Sequence, residues 1–454
     1  PQASAARLRL RALADLQPPR SAEEQAQAQL RLGEALLAAG RTKEAIESLS
    51  AVQLEALPAD DADRGRVSLG RALLGRGRAR EGQRLLQAIP ADSPSAAEAA
   101  FLLARQEARR SGTPDAFERL ANDHRGTPWA EDALLALANH YQKDALDGPA
   151  LPWWRRLLIE FPDGRYVERA AWRCGWADYR AGRHEAAATT LESAARLRPP
   201  SGYTAGFLYW AGRARLALHD DRGRMLLEET IQRYEHSYHG LRAAEALSRL
   251  GGPRSPRLLV NANSAPFDPP LPEPRGTRLR LLLLIQRLDE AMLELRLLPE
   301  SSRTLATVAW IDWLRGRYRP AIVTMKRAYP EWISAAGDAL PPEVWHILFP
   351  LRYGPELLAA ADQEALDPAL VAALILQESS FDAAALSRAG ARGLMQVMPA
   401  TGRRIARAKG QRFRRASLHD PATSLDFGTH YLRQMNDRFD GALEKVLSAY
   451  NAGP

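Results

Sequence analysis

Between Leu32 and Ala188 the chain repeats one local design three times: a helix-forming run closed by glycine, with a second helix-forming run following at once. Leu32 to Arg41 leads into Glu44-Ala45-Ile46, Leu69 to Gly77 into a run ending Leu85-Leu86, and Trp176 to Arg183 into Ala186-Ala187-Ala188. A fourth unit opens at Tyr209-Trp210-Ala211-Gly212-Arg213-Ala214. Ala, Leu, Arg and Glu dominate, and these residues lose little on entering a helix. Glycine supplies the left-handed cap that reverses the chain, and small alanines let paired helices approach closely. Paired helices of this kind bury their apolar faces only by stacking on the next pair. Residues 1–251 are therefore expected to form an α-superhelix, whose default role is scaffolding.

The units resemble tetratricopeptide-type repeats with irregular spacing. A break follows at 252–276, where Pro253, Pro256, Pro266, Pro269, Pro270, Pro272 and Pro274 forbid helix continuation and imply a linker or extended strap. Paired-helix style resumes over 277–348, as in Leu305 to Arg315, Gly316 to Arg319 and Pro320 to Ala328. From Phe349 to the end, 349–454, the character changes again. The whole chain reads as all-α.

Composition narrows the function classes. Of 454 residues 46% are hydrophobic and 26% charged, enough for sizeable cores and against global disorder. The most apolar run, Leu279 to Ile285, is too short to span a bilayer as a helix. The single cysteine, Cys174, excludes an internal disulfide framework and a cysteine metal cluster, and beside Trp172 and Trp176 it reads as a small buried hydrophobe. Net charge is +8, carried by 57 Arg and 5 Lys. Such a skew fits a GC-rich coding genome, and the arginine runs read first as solvated helix faces.

The chemistry concentrates near residue 378. Asp367-Pro368 suits the start of a helix that runs through Val371, Leu374 and Ile375 to Glu378. Helical spacing puts the Glu378 carboxylate on the apolar face, where desolvation raises its pKa and keeps a proton available near neutrality. On periodicity alone an emergence of Glu378 into solvent fits equally well. Gly390 and Gly393 then mark a tight turn, Ser387 and Gln396 offer hydrogen bonds near the acid, and Met395 and Met398 are flexible apolar groups that either line a groove or fill core.

Three stretches in order, Glu378-Ser379-Ser380-Phe381 with Ser387 and Gly390-Ala391, Gly393-Leu394-Met395-Gln396 with Met398-Pro399 and Thr401, and Ala449-Tyr450-Asn451-Ala452-Gly453, resemble the catalytic domain of the soluble lytic transglycosylases. Ser237-Tyr238-His239-Gly240-Leu241 is similar, more weakly, to the segment that closes that family's superhelical domain. The resemblance implies an α-superhelical domain (1–251), a Pro-rich linker (252–276), a small helical linker domain (277–348) and a goose-lysozyme-like catalytic domain (349–454), here incomplete at its C-terminus. It implies cleavage of the β-1,4 bond from N-acetylmuramic acid to N-acetylglucosamine in peptidoglycan, without water, leaving a 1,6-anhydromuramoyl end. By the same resemblance Glu378 is the single acid/base. Ser387, Met395, Gln396 and Met398 line the saccharide groove, Gly393 and Leu394 shape its floor, and Tyr450 and Asn451 close over the cleavage site. Ala383 and Leu376 stand where the family usually has Pro and often has Arg. Glycan strands of peptidoglycan are the implied partner, with no cofactor, no metal and no nucleic acid. A periplasmic monomer is implied, compatible with membrane association and with complexes of cell-wall enzymes. Beginning at Pro1 and ending at Pro454, the chain reads as a mature or truncated product without its signal peptide.

Other signals are weaker. Arg403 to Arg415 holds seven basic residues and no acid, but only Phe413 for stacking, so it fits a solvated face or stem-peptide carboxylates better than nucleic acid. His419, Asp420 and His430 lack a known ligand spacing and read as structural. The pairs Trp153-Trp154 and Tyr209-Trp210, with Trp172, Trp176, Trp310 and Trp313, fall at helical spacing and read as core before sugar platforms. Two other functions remain open: a water-using muramidase of the same fold, and a peptidoglycan-binding scaffold with an inactive catalytic part.

Overall fold

A computed structural model describes residues 21–142, 147–197, 199–251 and 275–453. Among these the regular structure is helical, apart from isolated antiparallel bridges joining Arg392 to Leu386 and to Val397. The chain divides into two compact units between Leu227 and Glu228. Pro253 to Pro274, where the strap is expected, lies outside the described residues.

The N-terminal unit is built from helix pairs. Ala22–Ala38 pairs with Thr42–Ser50, Ala59–Gly75 with Ala79–Gln87, Ala96–Ser111 with Asp115–Asp123, Pro128–Tyr141 with Asp147–Glu160, and Val167–Arg180 with His184–Ala195. Thr204–Ala217 and Arg222–Tyr234 follow in the same style, the second helix running across the division at Leu227. The glycine turns form as expected: Gly40, Gly77 and Gly182 have φ of 73, 80 and 73°. In each, the next N–H reaches back to the helix, as Arg41 N to Leu36 O at 2.9 Å, Arg78 N to Leu73 O at 3.0 Å and Arg183 N to Asp178 O at 2.9 Å. These bonds satisfy carbonyls that the helix end leaves open. In the fourth unit His219 takes the left-handed position instead, at φ 57°.

A second set of glycines, inside the helices, sets the pair spacing. A Cβ on Gly33 would lie 2.5 Å from Leu49, and one on Gly175 would lie 2.5 Å from Leu191. Gly70 faces Leu86 and Gly212 faces Leu227 in the same way. The repeating element is thus a glycine hole filled by a leucine of the partner helix. Around these contacts Trp154, Phe207 and Tyr209 are fully interior, while Trp176 and Trp210 are half-buried with ring centroids 4.5 Å apart. Cys174 is interior, and burial pushes its thiol up to about 12, so it packs as an inert hydrophobe.

The C-terminal unit includes the helix Tyr238–Arg249 and, further on, the helix pairs Arg275–Leu284 with Leu288–Leu295 and Ser302–Leu314 with Tyr318–Ala328. After Pro342–Leu348 come Gly354–Gln363, Pro368–Ser379, Pro399–Ala408, Pro421–Arg438 and Leu443–Ala452. Phe381, Leu394, Met395, Ile405, Leu418 and Phe427 form their common core. Tyr318, upstream of residue 349, is buried in that same core, and Trp313 and Leu376 pack against both it and the adjoining cluster around Trp345.

Substituting Gly175→Ala is expected to drive a methyl into Leu191 and lower stability by about 1–3 kcal/mol, whereas Gly148→Ala, with nothing near its Cβ, should be neutral or stabilising. Urea unfolding of the two variants checks this; equal midpoints would remove the glycine hole as a packing constraint.

Candidate active site

The acid sits where a helix is forced to stop. Asp367 caps the Pro368–Ser379 helix by accepting a hydrogen bond from Ala369 N at 2.8 Å. Val371, Leu374 and Ile375 are buried on one face, and Glu378 continues that face as a half-buried residue. Partial removal from water raises its carboxyl pKa above the ordinary value. The chain then turns at once. Ser380 and Phe381 both adopt left-handed backbone, at φ 53 and 62°, and Ser380 N bonds back to Leu376 O at 3.1 Å. Two successive non-glycine residues in this region cost on the order of 1–3 kcal/mol each. Burial of Phe381, which is only 2% exposed, contributes about 1.5–3 kcal/mol toward offsetting that strain.

Beyond the turn, a loop folds back beside the acid. The Asp382 carboxylate accepts from Ala384 N at 2.8 Å and is committed to this bend. Ser387 Oγ accepts from Ala391 N at 3.0 Å, and Ser387 N donates to Ala391 O at 3.0 Å, closing a small hairpin around Gly390. Gly393 is required twice over. Its φ is 76°, and a Cβ would overlap the Leu418 carbonyl oxygen. Gln396, itself left-handed at φ 48°, donates its amide to Gly393 O at 2.9 Å and to Ala385 O at 3.3 Å.

Buried hydroxyls join the loop to the surrounding helices. Ser379 Oγ donates to Leu394 O at 2.8 Å across the interior, tying the end of the Glu378 helix to the Gly-Leu-Met-Gln turn. Ser424 Oγ accepts from Met395 N at 3.2 Å. Tyr450 Oη donates to Met395 O at 2.9 Å, and its ring meets Tyr431 with centroids 5.2 Å apart. The Tyr450 phenol is pushed well up, first by burial and then by the negative charge of nearby Glu378, so it remains a neutral donor.

The expected site residues therefore occupy distinct places. Glu378, Ser387 and Gln396 are half-buried around the loop, Met398 is exposed beside it at 42%, and Tyr450 closes over Met395. Asn451 is exposed next to Tyr450. Gly393, Leu394 and Met395 lie beneath; the Leu394 and Met395 side chains are wholly interior, and Met395 fits only because Gly428 has no Cβ. Sequence reasoning assigned no role to Ser379, Ser424, Gly428 or Tyr431. Ser379 had a signal, its place beside the acid, whereas the other three come from a distant helix and had none. The histidines behave structurally: His430 Nδ1 is 2.9 Å from Glu364 Oε1, and His419 is hydrogen-bonded to the loop. Asp420 caps the Pro421–Arg438 helix. Elsewhere in the unit Glu235, His236 and Asp338 bring potential ligand atoms within 4.8 Å of one another, with His236 Nε2 3.0 Å from Asp338 Oδ1.

The C-terminal unit thus carries a half-buried acid at a helix end, tied by Ser379 to a glycine-containing loop over an all-helical core. Residues 357–454 match the transglycosylase SLT domain family, and residues 27–55 match a tetratricopeptide repeat. Along nearly its whole length the chain is similar in fold to soluble lytic transglycosylases of known structure. An inactive mutant of the lytic transglycosylase Slt from Pseudomonas aeruginosa superposes with a TM-score of 0.60 at 19% identity, covering 99% of this chain and 77% of that one. The 70 kDa soluble lytic transglycosylase of Escherichia coli gives 0.51 at 18% identity with the same coverage. A complex of a 70 kDa soluble lytic transglycosylase with bulgecin A gives 0.56 at 18%.

Removing the Ser379 hydroxyl leaves a buried Leu394 carbonyl without its partner. Ser379→Ala is expected to lower stability by about 1–3 kcal/mol, read by chemical denaturation. Unchanged stability would show that the hydroxyl does not tie helix to loop.

Proposed function

We propose that this protein is a peptidoglycan lytic transglycosylase with Glu378 as its acid/base. The observation that carries the reading is the half-buried Glu378 carboxyl, its pKa raised by burial, next to Ser379, whose hydroxyl ties this helix end to Leu394 O. Ordinary glycosidases need two carboxylates. Here Asp382 is held by the Ala384 N–H in a turn, which leaves Glu378 as the acid suited to proton transfer.

One acid suffices if the substrate supplies the second group, a recognised exception to the two-carboxylate rule. Protonated Glu378 gives its proton to the oxygen linking N-acetylmuramic acid to N-acetylglucosamine, and the C1–O bond breaks. The muramoyl N-acetyl oxygen stabilises C1 as an oxazolinium-like species. The Glu378 carboxylate then takes the proton from the C6 hydroxyl of the same sugar. The freed O6 attacks C1, the oxazoline opens, and a 1,6-anhydro ring closes. Glu378 ends protonated, ready for another cycle, and no water is consumed. The reading places the enzyme in the periplasm as a monomer acting on glycan strands, free to associate with other cell-wall enzymes. No described helix is long and apolar enough to cross a membrane.

Two outcomes are expected. Glu378→Gln should bind sacculi yet release anhydromuropeptides about 10²–10⁴-fold more slowly. Full retained activity would remove Glu378 from the chemistry, and reducible, water-added ends would make the enzyme a muramidase. The second outcome concerns pH. A carboxyl whose folded pKa is raised favours folding below its unfolded value, and that contribution is lost as pH rises through the folded value. Wild-type protein should therefore lose stability relative to Glu378→Gln as pH rises from about the ordinary value of 4.5 through the raised one, and single-turnover cleavage should fall over the same window. Parallel stability curves for the two proteins would show that the burial is not felt.

A further inference from the structure

We propose that His419 is a positioning residue for the catalytic loop, held as the neutral Nδ1–H tautomer, and that it clamps the two limbs of that loop together. Its catalytic consequence rests on the transglycosylase reading above; its geometry does not.

The hydrogen-bond partners decide the protonation pattern. His419 Nδ1 lies 3.0 Å from Ala383 O, and a carbonyl can only accept, so Nδ1 carries the hydrogen. His419 Nε2 lies 3.1 Å from Arg392 Nη1, and a guanidinium can only donate, so Nε2 presents its lone pair. One tautomer of the neutral ring meets both demands, and the imidazolium meets only the first. The demand at Arg392 is sharpened by its Nε, which is buried without a hydrogen-bond partner. A guanidinium already short of an acceptor on its buried side depends on the imidazole lone pair.

The two partners are the two limbs of the loop. Ala383 follows the left-handed turn after Glu378, and Arg392 begins the return, bridging to Leu386 and to Val397. The segment bearing His419 touches the loop at further points: Leu418 O lies against Gly393, and Ser424 Oγ receives Met395 N. Those contacts hold the turn itself, while His419 sets the spread of the limbs, and with it the distance from the Glu378 helix end to Gln396. A small error in such a spacing is enough to slow chemistry strongly.

The test uses the full chain. Imidazole ¹⁵N spectra assign His419 through the resonance lost in His419→Leu and read its tautomer at neutral pH. Anhydromuropeptide release from sacculi reads catalysis. A neutral Nδ1–H ring is expected, with kcat down about tenfold in His419→Leu and KM within about twofold. His419→Gln should recover most of the loss, because its amide offers one donor and one acceptor at comparable separation. Circular dichroism of both variants guards against misfolding, and Arg392→Met should reproduce the kcat defect if His419→Leu does not fold. An Nε2–H tautomer or an imidazolium in the wild type would overturn the clamp, as would equal kcat values for the Leu and Gln variants. If the wild-type chain itself releases no anhydromuropeptide, the enzymatic reading fails and the tautomer spectrum alone decides the clamp.

Discussion

The sharp reversal of the chain directly after Glu378 is the constraint on which the site depends. The chain turns through two left-handed residues, Ser380 and Phe381, and the strain is held by burying Phe381 and by the Ser380 N–H bond to Leu376 O. Ser379 adds the complementary tie, since its hydroxyl reaches the Leu394 carbonyl on the far side of the loop.

The loop is held from behind by a region distant in sequence. Leu418 O, the His419 ring and Ser424 Oγ all touch it, and Gly428 makes room for Met395. Tyr450 closes the arrangement from the last described helix, through its bond to Met395 O. These contacts place wholly interior side chains, Leu394 and Met395, under a surface on which Glu378, Ser387, Gln396 and Met398 remain accessible. Rigid backing of this sort is what proton transfer needs, because donor and acceptor must meet within hydrogen-bond distance.

The N-terminal unit follows a different economy of contacts. Three of its helix pairs use a left-handed glycine to reverse the chain and a second glycine, inside a helix, to admit the partner's leucine. Gly33 with Leu49 and Gly175 with Leu191 show the second requirement at its tightest. The first was plain in the sequence at Gly40, Gly77 and Gly182, because a glycine ending an apolar run has few other uses. The second was not, since a glycine inside a helix looks like any small residue until its neighbour across the pair is known.

The sequence alone determined the all-helical class, the repeated pairs and the glycine turn after the acid, whereas the half-burial of Glu378 itself came only with the tertiary structure. Those features are set by neighbours within a few turns of helix, and local sterics and periodicity express them directly. Only the tertiary structure decided that Leu394 and Met395 face inward, that Ser424, Gly428 and Tyr431 support the loop, and that His419 and Arg392 meet. Each of these pairs residues from segments whose separation along the chain carries no periodic signal. Their meeting follows from how whole helices pack around Phe381 and Phe427, which no local pattern records.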